Sequence, residues 1–229
     1  MNAAELVALM LADGRLPTGG HTQSAGLEAA VRAGLGANGN HLEHVAEYAR
    51  DRLHTVTRVE AAVAVVTRHL ILHPDAGVQV GLWGVEGAWA ARTPSEVLRG
   101  VSRRQGRLLL RLAGRVWPEV VEYLPVDGEV PRAIVVGVVA AVNGLSAEQV
   151  ARVVAYEDAQ TVVSASLKLL PVDPADAAGW LAGLHDDIER LVKDVAPLTE
   201  PSAIPADGAP LIDVFAHQHA TERMRLFNA

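Results

Sequence analysis

Histidine is the residue type in this chain best suited to metal binding or proton transfer, and there are nine of them. Three pairs lie close in sequence: His41 and His44, His69 and His73, and His217 and His219. The first two pairs have spacings that place both rings on one helix face, whereas the third does not. Neither same-face pair has an obvious third ligand, and no HExxH motif occurs. We therefore predict neither a bound metal nor a cofactor, and keep as an alternative a nickel carrier that combines the two pairs.

Adjacent carboxylates are the other candidates for chemistry, at Glu157-Asp158 and Asp186-Asp187. No nucleophile pattern accompanies them, since GxSxG, SxxK and Cys-His arrangements are all missing. We interpret both pairs as solvated helix faces. The prediction is that the chain is not an enzyme, although a helical enzyme whose site is assembled from scattered residues stays as an alternative.

Nucleotide-binding signatures are weak in this sequence. Gly34 to Gly39 matches GxGxxG, but it follows a predicted helix, whereas a dinucleotide site needs a strand before the glycines. We interpret it as a helix C-cap and loop. No Walker A motif occurs, so any nucleotide chemistry belongs to a partner.

A series of arginines recurs every three or four residues along one predicted helix. Its members are Arg99, Arg103, Arg104, Arg107, Arg111 and Arg115. The pattern predicts either a simple exposed helix face or a surface that docks an acidic partner.

Composition favours one helical domain over residues 1–229. Half of the residues are hydrophobic but only 4% are aromatic, which suits close helix packing, and no βαβ alternation appears. A formal charge of −7 argues against nucleic-acid binding. The apolar run from Ala133 to Val142 is too short to span a bilayer. Because the N-terminus lacks a basic leader and cysteine is missing, we expect a cytoplasmic protein that does not contact membranes.

Periodicity and capping signals predict an all-α, multi-helix bundle. The predicted helices run from Leu42 to His73, from a capping box with proline in the first turn at Thr93 to Val116, from Ser146 to Leu170, from Asp173 to Val195, and through the buried segment from Ala133 to Val142. Residues 197–210 contain four prolines and predict a flexible tether. Residues 211–229 then form a predicted C-terminal docking helix.

A tight turn lies between two helix-like segments in the stretch from Asp13 to Glu28. Pro17 fixes its own backbone angle, and Gly19 permits positive φ, so one helix must end there. Thr22 and Ser24 carry hydroxyls that can cap the next helix.

These residues, with others at the C-terminus, resemble the UreF family of urease accessory proteins. The residues that match its N-terminal signature are Leu11, Ala12, Asp13, Pro17, Gly19, Ser24, Gly26, Leu27 and Glu28. His219 followed by Arg225-Leu226-Phe227 is similar to the family's C-terminal motif, and Lys168 lies in a similar Ser-x-x-Lys-Leu segment. His21 stands where many members have Phe or Tyr.

The resemblance implies a non-catalytic adaptor. It would link the UreD/UreH accessory protein to the GTPase UreG, so that nickel is inserted into apo-urease, and it would be a homodimer. The implied partner-binding residues are Pro17, Gly19, His21, Ser24, Glu28, Lys168, His219, Arg225, Leu226 and Phe227. We expect Arg225 to fasten the tail near position 21 and His219 to pack or hydrogen bond.

Overall fold

The computed structural model describes residues 3–74, 77–125 and 127–227, and none of these residues forms a β-strand. The all-α, single-domain prediction is therefore confirmed. In chain order the helices are α1 (Ala3–Ala12), α2 (Leu27–Arg32), α3 (His44–His54), α4 (Val56–Leu72), α5 (Val78–Arg92), α6 (Glu96–Val116), α7 (Arg132–Val142), α8 (Ala147–Leu169), α9 (Pro174–Gly183), α10 (His185–Val195) and α11 (Pro210–Thr221).

The centre of the bundle is α7, in which every residue from Ala133 to Ala141 is buried. It packs against α4, and α4 also packs along α8. Valine and alanine supply most of these contacts, as the low aromatic content predicts. Within the described ranges, no helix is long and apolar enough to cross a membrane.

Gly137 lets α7 approach α4 closely. A Cβ atom at this position would lie 2.5 Å from the carbonyl oxygen of Ala64 and 2.6 Å from the Cβ of Thr67. Both distances are below van der Waals contact, so only glycine allows this spacing of the two helices.

The predicted helix from Leu42 to His73 is two helices, α3 and α4, with a break at Thr55. Thr55 has φ −127° and ψ −97°, outside the helical region. Neither proline nor glycine marks the break. Instead Arg52, before it, and Thr57, after it, both donate hydrogen bonds to Asp158 of α8. Helix α4 is also buried on nearly every side.

The predicted helix from Asp173 to Val195 also divides, into α9 and α10 at Leu184.

At the start of α6, Ser95 is the N-cap and accepts from the N–H of Leu98, so Pro94 precedes the helix. The prediction of a capping box with proline in the first turn was wrong there. The capping box at the start of α8 is confirmed, with Ser146 and Gln149 exchanging hydrogen bonds.

The Pro-rich segment 197–210 lies along the body of the bundle. Ile204 is buried, and its carbonyl oxygen accepts a 2.7 Å hydrogen bond from the guanidinium of Arg92. Asp207 pairs with Arg58 at 2.8 Å. The expectation of a flexible tether is corrected, because side chains of α4 and α5 hold the segment in place.

The C-terminal helix is shorter than residues 211–229. Helix α11 ends at Thr221, and residues 222–227 continue without helical hydrogen bonds. Residues 228 and 229 lie outside the described part of the chain. The predicted continuation to Phe227 was wrong because the N–H groups of Leu226 and Phe227 bind the side chain of Glu28 instead.

We expect Gly137→Ala to destabilise the fold by about 1–3 kcal/mol, because the added methyl group forces α4 and α7 apart. Urea unfolding followed by circular dichroism measures the change. Gly179→Ala is the matched control, since Gly179 is an exposed position within α9 with open space around its Cβ. That control should stabilise by up to about 1 kcal/mol. Equal effects of the two variants would contradict the close-approach explanation.

Candidate functional site

The turn that follows α1 is tightly built. Gly19 has φ 79° and precedes a 3₁₀ turn from Gly20 to Thr22. A Cβ atom on Gly19 would lie 3.0 Å from the Cδ1 of Leu108 in α6. Positive φ and this close approach both select glycine here. The turn is therefore fixed against α6.

Helix α2 begins directly after this turn. The Oγ of Ser24 accepts from the N–H of Glu28 at 3.4 Å, as predicted, although the N-cap residue of α2 is Gly26. The hydroxyl of Thr22 donates to the carbonyl of Gly19 at 2.8 Å, within the turn. The result is that Glu28, in the first turn of α2, points into the interior with 2% of its surface exposed.

Glu28 joins the two ends of the chain. Its carboxylate accepts hydrogen bonds from the backbone N–H of Leu226 at 2.8 Å and of Phe227 at 2.9 Å. The Nε2 of His219 lies 2.9 Å from the same carboxylate, and the guanidinium of Arg32 lies 2.8 Å away. We call this set of five residues the Glu28 lock. It confirms the expectation that His219 makes a hydrogen bond, with a ring that is almost completely buried.

The Glu28 lock holds a charged carboxylate inside the protein. Burial opposes ionisation, but the N–H groups of Leu226 and Phe227, followed by His219 and Arg32, together hold the pKa of Glu28 below its ordinary value. Because an ionised carboxylate only accepts hydrogen bonds, the Nε2 of His219 carries the hydrogen in this contact.

Further contacts fasten the tail around the Glu28 lock. Arg32 donates to the carbonyl of Met224 at 2.6 Å and pairs with the carboxylate of Glu222. The ring of Phe227 is buried, with the Nζ of Lys168 at 5.1 Å from its centroid. The tail is thus bound through its backbone, its charges and one aromatic ring.

A wide groove lies beside the lock. Its walls are the turn at residues 18–23, which we call the Gly19 turn, the first half of α6 and helix α11. Its volume is about 1560 Å³. Four arginines of α6 line it, namely Arg99, Arg103, Arg104 and Arg107. Arg225 of the tail and His217 of α11 also line it. We call this feature the arginine groove.

Comparison with known proteins agrees with this architecture. The sequence model of the UreF family matches residues 40–185. A urease accessory protein UreF from Mycobacterium sp. (strain JLS) is 38% identical over 224 residues. Another, from Mycolicibacterium vanbaalenii, is 34% identical over 223 residues, and each alignment covers 96% of both chains.

The chain belongs to the UreF family. The resemblance read from the sequence is confirmed at family level. Both ends that the Glu28 lock joins lie outside the range 40–185 that the UreF family model matches, whereas the alignments with the two relatives cover 96% of the chain.

The UreF-type residues from the sequence analysis divide into two groups. Ser24, Glu28, His219 and Phe227 are buried. Pro17, His21, Lys168, Arg225 and Leu226 are exposed, and Gly19 is half-buried. The buried residues position the tail. Contact of the exposed residues with a partner stays a prediction.

Arg225 fastens the tail weakly. Its Nη1 donates to the carbonyl of His219 at 3.5 Å, which matches the expected bond to a backbone carbonyl in kind but is long. Arg225 lines the arginine groove together with Gly19 and Thr22, whereas His21 is not among the lining residues. The expected proximity of Arg225 to position 21 stays a prediction.

The carboxylate pair Glu157-Asp158 is not a solvated helix face. Asp158 receives two hydrogen bonds from Arg52, at 2.9 and 2.6 Å, and Glu157 pairs with Arg132. All four side chains are mostly buried. The sequence interpretation was wrong, because arginines from α3 and α7 supply the compensating charge.

The two residues of the second carboxylate pair, Asp186 and Asp187, differ in their exposure to solvent. Asp186 is exposed, as interpreted, but Asp187 is buried and pairs with Arg50 of α3 at 3.1 Å. Arg190 and His54 also approach the Asp187 carboxylate. Asp187 therefore attaches the start of α10 to α3.

A smaller, partly open cavity of about 140 Å³ lies next to the groove. The charged side chains that line it are Arg52, Glu60, Arg132, Glu157 and Asp158. Burial raises the pKa of both Glu60 and Glu157. Burial is also the largest influence on Asp158, but the charge and hydrogen bonds of Arg52, the hydrogen bond from Thr57 and the charge of Arg132 together lower the pKa of that carboxyl.

The polar groups around this cavity are bound to each other. Trp89 donates to Glu60 at 2.6 Å, and the Oγ of Ser102 accepts from the N–H of Arg132. His219 is held by Glu28. Thr57 also lines this cavity and donates to Asp158 at 2.6 Å, and Arg52 neutralises that carboxylate.

Of the two same-face histidine pairs, His41 and His44 are both exposed, whereas His69 is half-buried beside the exposed His73. His41 and His44 stack with ring centroids 5.2 Å apart, and the ligand atoms of His41, Glu43 and His44 all lie within 4.8 Å of one another. Glu43 is thus a candidate third ligand that the sequence spacing of the histidines did not indicate. His69 and His73 lie with centroids 4.6 Å apart at the end of α4.

The glycine-rich match from Gly34 to Gly39 is a helix-terminating loop. Gly34, Gly36 and Gly39 all have positive φ, and the loop directly follows α2. This confirms its interpretation as a C-cap region rather than a dinucleotide site.

We predict that Glu28→Gln loosens the tail. The change keeps the size of the side chain but removes the charge that accepts four hydrogen bonds. It should cost about 1.5–3 kcal/mol of unfolding free energy at neutral pH and speed amide exchange at Leu226 and Phe227. Urea unfolding and hydrogen exchange measure both effects.

The effect of Glu28→Gln should depend on pH. The folded pKa of Glu28 is lowered, so its stabilisation is fully present above the unfolded pKa of about 4.3 and is lost as the pH falls through the folded pKa. Glu129→Gln is the control, because Glu129 is exposed and its surface pair is worth about 0–1 kcal/mol. Unchanged tail exchange in Glu28→Gln would contradict the lock.

Proposed function

We propose that this chain is a non-catalytic adaptor of urease maturation. It links the UreD/UreH accessory protein to the GTPase UreG in the cytoplasm, and the complex inserts nickel into apo-urease. The adaptor acts as a homodimer. Membership of the UreF family and the printed name of its relatives, urease accessory protein, support this proposal.

The observation that carries the proposal is the Glu28 lock. It brings the Gly19 turn and residues 222–227 together, although about 200 residues of chain separate them. The exposed side chains on this combined surface include Pro17, His21, Arg225 and Leu226. An adaptor requires such a fixed surface, whereas an enzyme would require a reactive pocket.

The two parts of this surface have different chemistry, which supports two different partners. The Gly19 turn and Arg225 border the arginine groove, and we assign recruitment of UreG to this side. Met224 and Leu226 expose 82% and 61% of their surfaces on a tail that the lock holds in place. We assign contact with UreD/UreH to this apolar tail and to α11, with Phe227 as the buried anchor.

Arg225→Ala tests the recruitment of UreG. Because the only contact described for Arg225 is a long hydrogen bond to the carbonyl of His219, its loss should leave the helical body folded. We expect at least about a tenfold loss of UreG in co-purification with UreD/UreH, which corresponds to about 1.4 kcal/mol.

Arg223→Ala is the matched control for this experiment, since Arg223 is an exposed arginine two residues away. It should retain UreG, and circular dichroism should show the same unfolding midpoint for both variants. Normal recovery of UreG with Arg225→Ala would reject the proposed recruitment surface.

A second candidate function is a nickel carrier, which the surface group of His41, Glu43 and His44 favours. Two imidazoles and a carboxylate suit divalent transition metals. Equilibrium dialysis of the full chain with nickel should then show stoichiometric binding that His41→Ala removes. His185→Ala, which changes an exposed histidine elsewhere, should keep it. No stoichiometric binding by the unmodified chain would reject this candidate.

A further inference from the structure

The arginine groove concentrates positive charge in an acidic protein. Five arginines and three carboxylates line it, while the whole chain has a formal charge of −7. Four of these arginines come from α6 and the fifth, Arg225, comes from the tail on the opposite side. Such a local excess attracts anionic groups and disfavours cationic ones.

Described contacts hold several of the arginines in defined positions. Arg99 donates to the carbonyls of Thr93 and Pro94 at 2.7 and 2.8 Å. The guanidinium of Arg103 lies 5.2 Å from the ring centroid of Trp89 and donates to Glu86 at 2.8 Å. Arg107 pairs with Glu129 across the groove edge. A guanidinium has five N–H donors, and one carboxylate oxygen takes only one of them. These side chains are therefore oriented and still suited to bind a second carboxylate.

The groove is also large and partly apolar. Its volume of about 1560 Å³ exceeds the roughly 300–1000 Å³ of sites for small molecules. Leu108 and Val214 line it from opposite walls, and both are exposed by 40% or more. Apart from His217, no described lining residue has an aromatic ring on which a nucleic-acid base could stack.

From charge, size and lining we infer that the arginine groove binds an acidic segment of a protein partner, with Asp or Glu side chains on the arginines and aliphatic side chains on Leu108 and Val214. This inference rests on the proposed adaptor function, because it gives the chemistry of the segment that the adaptor takes. The Gly19 turn and Arg225 form one end of the binding surface.

Fluorescence anisotropy with the full chain tests this inference. The probe is a labelled peptide rich in glutamate with interspersed leucines, compared with the same peptide carrying glutamine in place of glutamate. We expect the acidic peptide to bind and its affinity to fall with added salt, since exposed charges are screened. The glutamine peptide should bind at least about tenfold more weakly.

Helix α6 supplies a matched pair of double variants. Arg104→Glu with Arg107→Glu changes two groove arginines, whereas Arg111→Glu with Arg115→Glu makes the same charge change at exposed positions of α6 that do not line the groove. The groove variant should weaken binding at least about tenfold and the control less than about twofold. Circular dichroism checks that both fold, and glutamine replacements at Arg104 and Arg107 serve if the charge reversal unfolds the chain.

Several results would overturn the inference: equal weakening in both double variants, no weakening in either, or equal binding of the glutamine peptide. If a labelled single-stranded oligonucleotide displaced the peptide and bound more tightly, the inferred ligand of the groove would be nucleic acid instead of an acidic protein segment. The peptide is measured without other proteins. Its failure is therefore distinct from failure of the adaptor function, which recovery of UreG with Arg225→Ala decides.

Discussion

The buried carboxylate of Glu28 is the contact on which the candidate site depends. With the tail docked it accepts hydrogen bonds from two backbone N–H groups, from His219 and from Arg32. Of these four donors, only Arg32 lies in the same helix as Glu28, so Arg32 alone would remain if the tail were not docked. Burial of a charge is costly unless it is paired and hydrogen bonded, so Glu28 favours the one docked arrangement that satisfies it.

Buried charge also determines where the helices of the body break. Asp158 binds Arg52 at the end of α3 and Thr57 at the start of α4, so one carboxylate spans the junction at Thr55. Asp187 has a similar place between α10 and α3. In a core built from valine and alanine, which pack without directional preference, these ion pairs supply the directional contacts that fix helix ends.

Periodicity predicted the helical class, and the capping box at Ser146 predicted the start of α8, because both are local signals. The break at Thr55 could not be predicted, because long-range contacts and neither proline nor glycine accompany it. The break at Leu184 had a local signal, since Gly183 directly precedes it. One signal was available but unused: Asp158 lies four residues from the core valines Val154 and Val162, which places it on the buried face of α8. The turn and tail were recognised from their residues, but only the fold shows that Glu28 joins them.

The same reasoning explains why the groove and the lock are one unit. Helix α11 buries few side chains, chiefly Ile212, Ala216 and His219, so apolar burial alone attaches it weakly. His219 is both the last buried residue of α11 and a donor to Glu28. The wall of the arginine groove that α11 provides is therefore positioned by a hydrogen bond with strict geometry. The carboxylate of Glu28, near the N-terminus, thus positions helix α11, which forms the far wall of the arginine groove.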